Sequence, residues 1–324
     1  MNRLFFGVLA VFLGASVPAA AQDWPRRPIT IVLPLAAGGG SDGLVRVVTP
    51  RLGEILGQQV IIENVGGAGG MIGAARVAKA TPDGYEVLLG TSGTNAVNQS
   101  IYSKPLYNAA TDFASVSLIF EVPLVLITRK DFPASNLKEF IAYGREHQAR
   151  MQYGSSGVGG TGHLACALLN SALGINVTHI PYRGGGPAMQ DTIAGRIDYQ
   201  CALANIASAQ IESHQVKAIG LMSKDRAPTL PDLPTLHEQG LTDFDASAWN
   251  GIFLPKATPV AIVDRLHDAF SAAIDTPFVR GRLTQLGASV VVPERRSPAY
   301  LQKFVEDEIA KWAATIKAAN IKPQ

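Results

Sequence analysis

The stretch from Ile29 to Arg46, ITIVLPLAAGGGSDGLVR, decides the fold. Ile29 to Leu33 is a short run rich in β-branched side chains and reads as a buried strand. Pro34 ends it, and Gly38-Gly39-Gly40 form a turn that only glycine crosses at little cost. Ser41 or Asp42 then caps a helix running through Val45 and Leu52. A strand, a glycine turn and a helix start aim several unpaired backbone N–H groups at one point, and such a point attracts anions. The turn has no lysine and is not GxxxxGK[ST], so a small carboxylate is a better expectation than a nucleoside triphosphate.

The N-terminus reads as an export signal. Arg3 is the charged region, Leu4 to Val17 the apolar region, and Ala19-Ala20-Ala21 the cleavage site, so residues 1–21 are expected to be a signal peptide cut after Ala21. The apolar run is too short for a membrane span. Without Arg3, 27 Lys and Arg face 26 Asp and Glu, which leaves no basic field to hold nucleic acid or a membrane surface. The remaining chain, about 300 residues, exceeds one compact core, so two lobes are expected. The two cysteines, Cys166 and Cys201, are open to two readings. Export permits a disulfide, and buried free thiols pack equally well as small hydrophobes.

The first half of the chain repeats the opening unit. Val60 to Glu63 is a strand, Gly66 to Gly70 a turn, Met71 to Lys79 a helix, and Val87 to Gly90 a third strand followed by Thr91 to Asn95. Alternating strand and helix implies a mainly parallel sheet with helices on both faces. Val116 to Thr128 reads as a long strand crossing between lobes, although Pro123 interrupts it. A second α/β unit follows. Met151 to Gly154 is a strand, Ser155 to Gly162 a turn, His163 to Leu173 a helix, and Val177 to Pro181 a strand with a turn at Tyr182 to Gly186. Ile197 to Leu203 and Val216 to Met222 are further strands, and Ala248 to Leu254 is a returning crossover. The C-terminal segments from Val260 to Ala318 read as amphipathic helices that pack back on the first lobe. The expected lobes are residues 22–122 with 249–324, and residues 123–248.

Ligands of open α/β sheets sit outside the C-terminal strand ends. Those ends carry Gly38, Gly39, Ser41 and Asp42, then Thr91 and Ser92, then Ser155, Ser156, Gly157 and Thr161, and finally Tyr182 and Arg183. Two lobes facing a cleft across two crossover strands make a hinged ligand trap.

These residues resemble the periplasmic solute receptors of the tripartite tricarboxylate transporters, the Bug-type family. The matching segments include Arg27-Pro28-Ile29-Thr30-Ile31-Val32, Ala36-Ala37-Gly38-Gly39 with Asp42, and Leu56-Gly57-Gln58. Gly67-Ala68-Gly69-Gly70, Pro82-Asp83-Gly84-Tyr85, Tyr153-Gly154-Ser155, His163-Leu164-Ala165, Pro181-Tyr182 and Trp249 with Gly251 continue the match over nearly all of residues 22–321. The resemblance implies a two-lobed periplasmic-binding-protein fold with two crossover strands. It implies a non-enzymatic receptor in the periplasm that captures a small organic acid, often dicarboxylic or aromatic, and delivers it to a two-component membrane permease. In the family, the turn after the first strand and the second lobe's Gly-Ser turn hold the ligand carboxylates. Those roles fall here on Gly38, Gly39, Asp42, Ser155, Ser156 and Gly157. No cofactor, metal or nucleic acid is expected, and the chain is expected to act as a monomer. The family commonly has lysine at Arg183, an acid at Asn108, and an aspartate on the late strand near Asn205. Asn205 in that place removes an acceptor for a ligand ammonium and turns the expectation away from amino acids.

Competing readings are weaker. Gly157-Val158-Gly159-Gly160-Thr161-Gly162 spells GxGxxG after a strand, but Val177 to Tyr182 lacks the acid that would hold a ribose. Ser155, Ser156 and His163 invite an exported hydrolase, yet the GxSxG elbow is absent. A ligand-sensing module for a membrane sensor kinase needs only the same cleft. The six histidines show no HxxxH or HExxH spacing, and His163 is expected to be structural or to face the ligand. Asp42 reads equally as a helix cap, Arg183 as an exposed turn residue or a carboxylate partner, and Tyr182 as a stacking or an edge residue.

Overall fold

A computed structural model of the chain describes residues 24–35, 37–38, 40–182, 185–318 and 321. The expected signal segment 1–21, Gly39 and Arg183 lie outside them. The first lobe opens with β1 (Ile29–Leu33), α1 (Gly40–Leu56), β2 (Val60–Asn64), α2 (Met71–Ala78) and β3 (Glu86–Thr91). A π-helical turn over Gly93–Val97 then runs into the short α3 (Asn98–Ile101). The chain continues through β4 (Phe113–Val122), β5 (Leu124–Arg129), α4 (Leu137–His147), β6 (Gln152–Ser155), α5 (Thr161–Leu173), β7 (Thr178–Pro181), α6 (Gly185–Ile193), β8 (Tyr199–Leu203), α7 (Ala204–Glu212) and β9 (Val216–Leu221). It ends with β10 (Ala248–Pro255), α8 (Val260–Ile274), α9 (Pro277–Gln285), β11 (Ser289–Val290) and α10 (Pro298–Ala318).

The strands form two sheets. One has the order β11-β4-β10-β3-β1-β2, the other β7-β6-β8-β5-β9. β1 pairs in parallel with β2 and β3, and β6 with β7 and β8, as repeated strand–helix units require. The later strands β10, β11 and β5 run antiparallel to their neighbours.

Strand alternation assigns the two helical layers of each sheet. Ile29, Ile31 and Leu33 point to one face of the first sheet, against Leu44, Val48 and Leu52 of α1 and Leu266 and Phe270 of α8. Val32 points to the other face, against Met71 and Ala74 of α2 and Trp312 of α10. In the second sheet Leu124 and Leu126 meet α4 and α5, while Val125 and Ile127 meet α6 and α7.

The long strand expected over Val116 to Thr128 is in fact two. Pro123 has no N–H for a ladder bond, so β4 ends at Val122 in the first sheet and β5 starts at Leu124 in the second. The return is β10, whose Ala248 pairs with Val122. The two crossings therefore lie side by side at the boundary between the lobes. Two elements were not expected, α7 and the two-residue β11. Cys166 of α5 and Cys201 of β8 are bridged, which decides between the two readings of the cysteines.

Candidate ligand-binding cleft

The strand ends of both sheets open onto one cavity of about 770 Å³. The first sheet supplies Gly38, Gly40 and Ser41 from the β1–α1 turn and Thr91, Ser92 and Gly93 from the end of β3. The second supplies the whole run Ser155 to Gly162 and the end of β8. Ala248, Trp249 and Asn250 of β10 join the wall where the chain crosses between lobes. Among the described residues the wall contains no Asp, Glu, Lys or Arg. Its polarity comes from hydroxyls, side-chain amides and main-chain groups, and its apolar part from residues such as Leu35, Ile101, Val122 and Leu203.

The first turn is held from behind. Asp42 is buried in the first turn of α1, and its Oδ2 accepts the N–H of Gly38 at 3.0 Å and Arg46 Nε at 3.0 Å. Its Oδ1 accepts from Asn64 Nδ2 at 3.1 Å. The Arg46 hydrogen bond above all, with those from Gly38 and Asn64, holds the carboxyl at about 2 against the opposing effect of burial. Gly38 takes φ +80°, a conformation open to glycine, and Asp42 fixes that turn. Ser41, next to Asp42, faces the cavity and accepts from Asn250 Nδ2 at 3.1 Å.

The second contribution follows β3. Thr94 Oγ1 accepts the N–H of Thr91 at 2.9 Å, and Thr91 Oγ1 accepts the N–H of Thr94 at 3.1 Å. This reciprocal pair satisfies main-chain donors and fixes the entry to the π-helical turn. π-Helical turns are rare and recur at functional sites. Asn98 donates to the carbonyl of Gly69 at 3.0 Å and so draws the turn before α2 to the same wall.

The third contribution is the glycine-rich run Ser155 to Gly162. Ser155 Oγ donates to the carbonyl of Gly157 at 3.0 Å, accepts the Gly157 N–H at 3.2 Å, and meets His179 Nε2 at 2.7 Å. The Ser155 hydroxyl thus has two acceptors within reach, the Gly157 carbonyl and His179 Nε2, and the one it serves sets the His179 tautomer. His163 Nδ1 accepts the N–H of Gly159 at 3.1 Å, which fixes His163 as the neutral Nε2–H form. The two imidazoles stack with centroids 4.0 Å apart, and His179 also stacks on Tyr153. Burial lowers both histidines to about 4, with their mutual repulsion adding to the effect on His179. Beneath the run, a side chain at Gly162 would lie 2.6 Å from the carbonyl of Cys201, so the start of α5 rests directly on β8. The Cys166–Cys201 disulfide ties the same two elements.

Eight of the expected site residues line the cavity: Gly38, Ser41, Thr91, Ser92, Ser155, Ser156, Gly157 and Thr161. Four others, Asp42, His163, Tyr182 and Asn205, are not among the residues that line it. Asp42 and His163 are turned toward main-chain N–H groups of the two turns. Tyr182 donates its hydroxyl to Asp191 at 2.7 Å. Asn205 packs between Gly40 and Gly287. Gly39 and Arg183 lie outside the described residues. Sequence reading missed Asn98, Tyr102 and Asn250 on the wall and His179 behind it. Only His179 left a usable signal, a histidine between Thr178 and Ile180 in a short strand.

The chain matches the tripartite tricarboxylate transporter family receptor over residues 44–321. It belongs to that family. Members are periplasmic solute-binding receptors, and the solved relatives share the two-lobed fold. The chain is 38% identical to the periplasmic binding protein BugD, with a TM-score of 0.81 over 93% of this chain and 100% of that one. It is 39% identical to malate-bound MatC of Rhodopseudomonas palustris, with a TM-score of 0.80 over 90% of this chain and 100% of that one. It is 33% identical to adipate-bound Rpa4515 of R. palustris, with a TM-score of 0.83 over 93% of this chain and 100% of that one.

Proposed function

We propose that this receptor captures a small organic anion with a carboxylate at each end, closes on it, and delivers it to a two-component permease of the tripartite tricarboxylate type. The observation that carries the reading is a cavity faced by glycine turns and hydroxyls from both sheets, with no charged side chain on its described wall. N–H groups at turns and helix starts are oriented donors for carboxylate oxygens. Each charge-assisted hydrogen bond is worth ~1.5–3 kcal/mol, so four or five support micromolar or tighter affinity after the costs of association. One carboxylate is held at the β1–α1 turn, which the Gly38–Asp42 contact shapes, through Gly39 and Ser41, with Thr91 and Ser92. The other is held by Ser156 and Thr161, in the run that Ser155 and Gly157 shape through their mutual hydrogen bonds. Malate and adipate, bound by two relatives, are both dicarboxylates and guide the choice of probes.

The protein works after export to the periplasm and removal of residues 1–21, as a monomer whose lobes divide near residues 122 and 249. It is a binding protein and not an enzyme. A hydrolase using Ser155, Ser156 and His163 is disfavoured, because His163 Nδ1 accepts the Gly159 N–H and the ring is not part of the cavity wall. A thermal-shift screen of the refolded, ligand-stripped protein against mono-, di- and tricarboxylates tests the reading. Dicarboxylates are expected to give the largest rise in melting temperature. A flat response across the panel contradicts it.

A further inference from the structure

The cleft wall leaves Asn205 unexplained. It lies in the first turn of α7, one residue after Ala204, whose N–H donates to the carbonyl of Pro123 between the two crossing strands at 2.9 Å. Asn205 therefore sits beside the pivot of the two lobes. It belongs to the second lobe, but it packs on two glycines of the first. A side-chain carbon at Gly287 would lie 2.9 Å from Asn205 Cβ, 3.0 Å from its Cα and 3.0 Å from its main-chain N. A carbon at Gly40 would lie 3.2 Å from Asn205 Nδ2. The Asn205 Oδ1 is buried without a hydrogen-bond partner, so that oxygen does not anchor the side chain here.

We propose that the first turn of α7, seated on Gly287, is the steric stop that sets the angle between the lobes. The inference deepens the reading of a closing cleft and rests on it. Another interlobe approach differs in kind: a carbon at Gly159 would meet only the end of the Ile101 side chain at 2.9 Å, which can swing aside. At Gly287 the obstacle includes main chain, which cannot. Because the seat adjoins the pivot, a small wedge there opens the far rim of the cleft by a lever. Any residue other than glycine at 287 thus limits closure without touching the cavity wall, and Asn205 and Gly287 act as positioning residues for ligand capture.

Two variants test the stop in the unliganded protein. Gly287→Ala is compared with Gly57→Ala. Both glycines have positive φ (+76° and +68°), so both variants carry similar backbone strain, but a side chain at Gly57 meets nothing within 4 Å. Small-angle scattering is expected to show a larger radius of gyration for Gly287→Ala and an unchanged one for Gly57→Ala. Separately, the pair Asn205→Cys with Gly287→Cys should crosslink under mild oxidation of the folded protein, because the two positions touch across the lobes. Absence of the crosslink, or equal radii for the two alanine variants, overturns the stop. Both readouts are independent of ligand, so either failure leaves the proposed ligand chemistry to be judged by its own binding assay.

Discussion

Asp42 Oδ2 accepts the main-chain N–H of Gly38 at 3.0 Å, four residues back along the chain. That single contact turns a carboxylate, which would repel an anionic ligand, into the brace of the turn proposed to hold one. Arg46, Gly38 and Asn64 occupy its oxygens, so its charge is spent behind the wall.

Asp42→Asn keeps the shape but places an amide N–H₂ where an acceptor is needed. It is expected to lower stability by about 1–3 kcal/mol, the cost of leaving buried donors unsatisfied, and to weaken ligand binding through a looser Gly38 turn. Thermal melts and calorimetry of the variant check both effects.

The same carboxylate gives an acid-side signature. Its folded value of about 2 lies below the ordinary value of 3.8. Its stabilising contribution is therefore complete above the unfolded value and is lost as pH falls from there toward 2. Chemical denaturation between pH 5 and 2.5 should show a shallower loss for Asp42→Asn than for the native chain.

His163 and His179 act at higher pH. Both are buried as neutral rings at about 4, below the ordinary value of 6.5. In the window between 4 and 6.5 the unfolded chain binds protons that the folded chain refuses, so stability is full above 6.5 and declines as pH falls through that window. The stacked pair cannot both be charged at 4.0 Å, and protonating His163 Nδ1 would displace the Gly159 N–H. The melting temperature of the native protein should fall from pH 7 to pH 4.5, and His163→Gln should flatten that fall. An unchanged slope in the variant would sink the assignment.

The Cys166–Cys201 bridge closes a loop of 35 residues and joins α5 to the floor of the cavity. Replacing both cysteines with alanine should cost roughly 2–4 kcal/mol of stability. Ligand affinity should fall too, since the start of α5 is no longer tied to β8. Thiol titration of the denatured native protein should find no free thiol.

Much of this architecture is legible in the sequence because glycine turns and apolar runs are local signals. β1, α1 and the turn at Gly38 follow from Ile29 to Leu52 alone, and Ser155 to Gly162 marks the second turn. α7 was not legible because Leu203 caps it without a side-chain hydrogen bond, and its residues Ala204 to Glu212 carry little apolar periodicity. β11 is two residues long and exists only through pairing with Glu121 and Phe120. On the wall, Asn250 arrives by the return of β10, a long-range event no local pattern encodes. The inward direction of Asp42 and His163 also depends on which main-chain N–H groups the folded turns present. Residue type marked them as site residues, but not the side of the wall on which they would stand.

The proposed mode of capture holds an anion in this cleft by main-chain N–H and hydroxyl donors from both lobes. Titration calorimetry of the stripped protein with malate and adipate, each beside its uncharged diamide of the same length, tests it most directly. Exothermic one-to-one binding of at least one dicarboxylate is expected, with no detectable binding of its diamide. Equal affinity for a diacid and its diamide would contradict it.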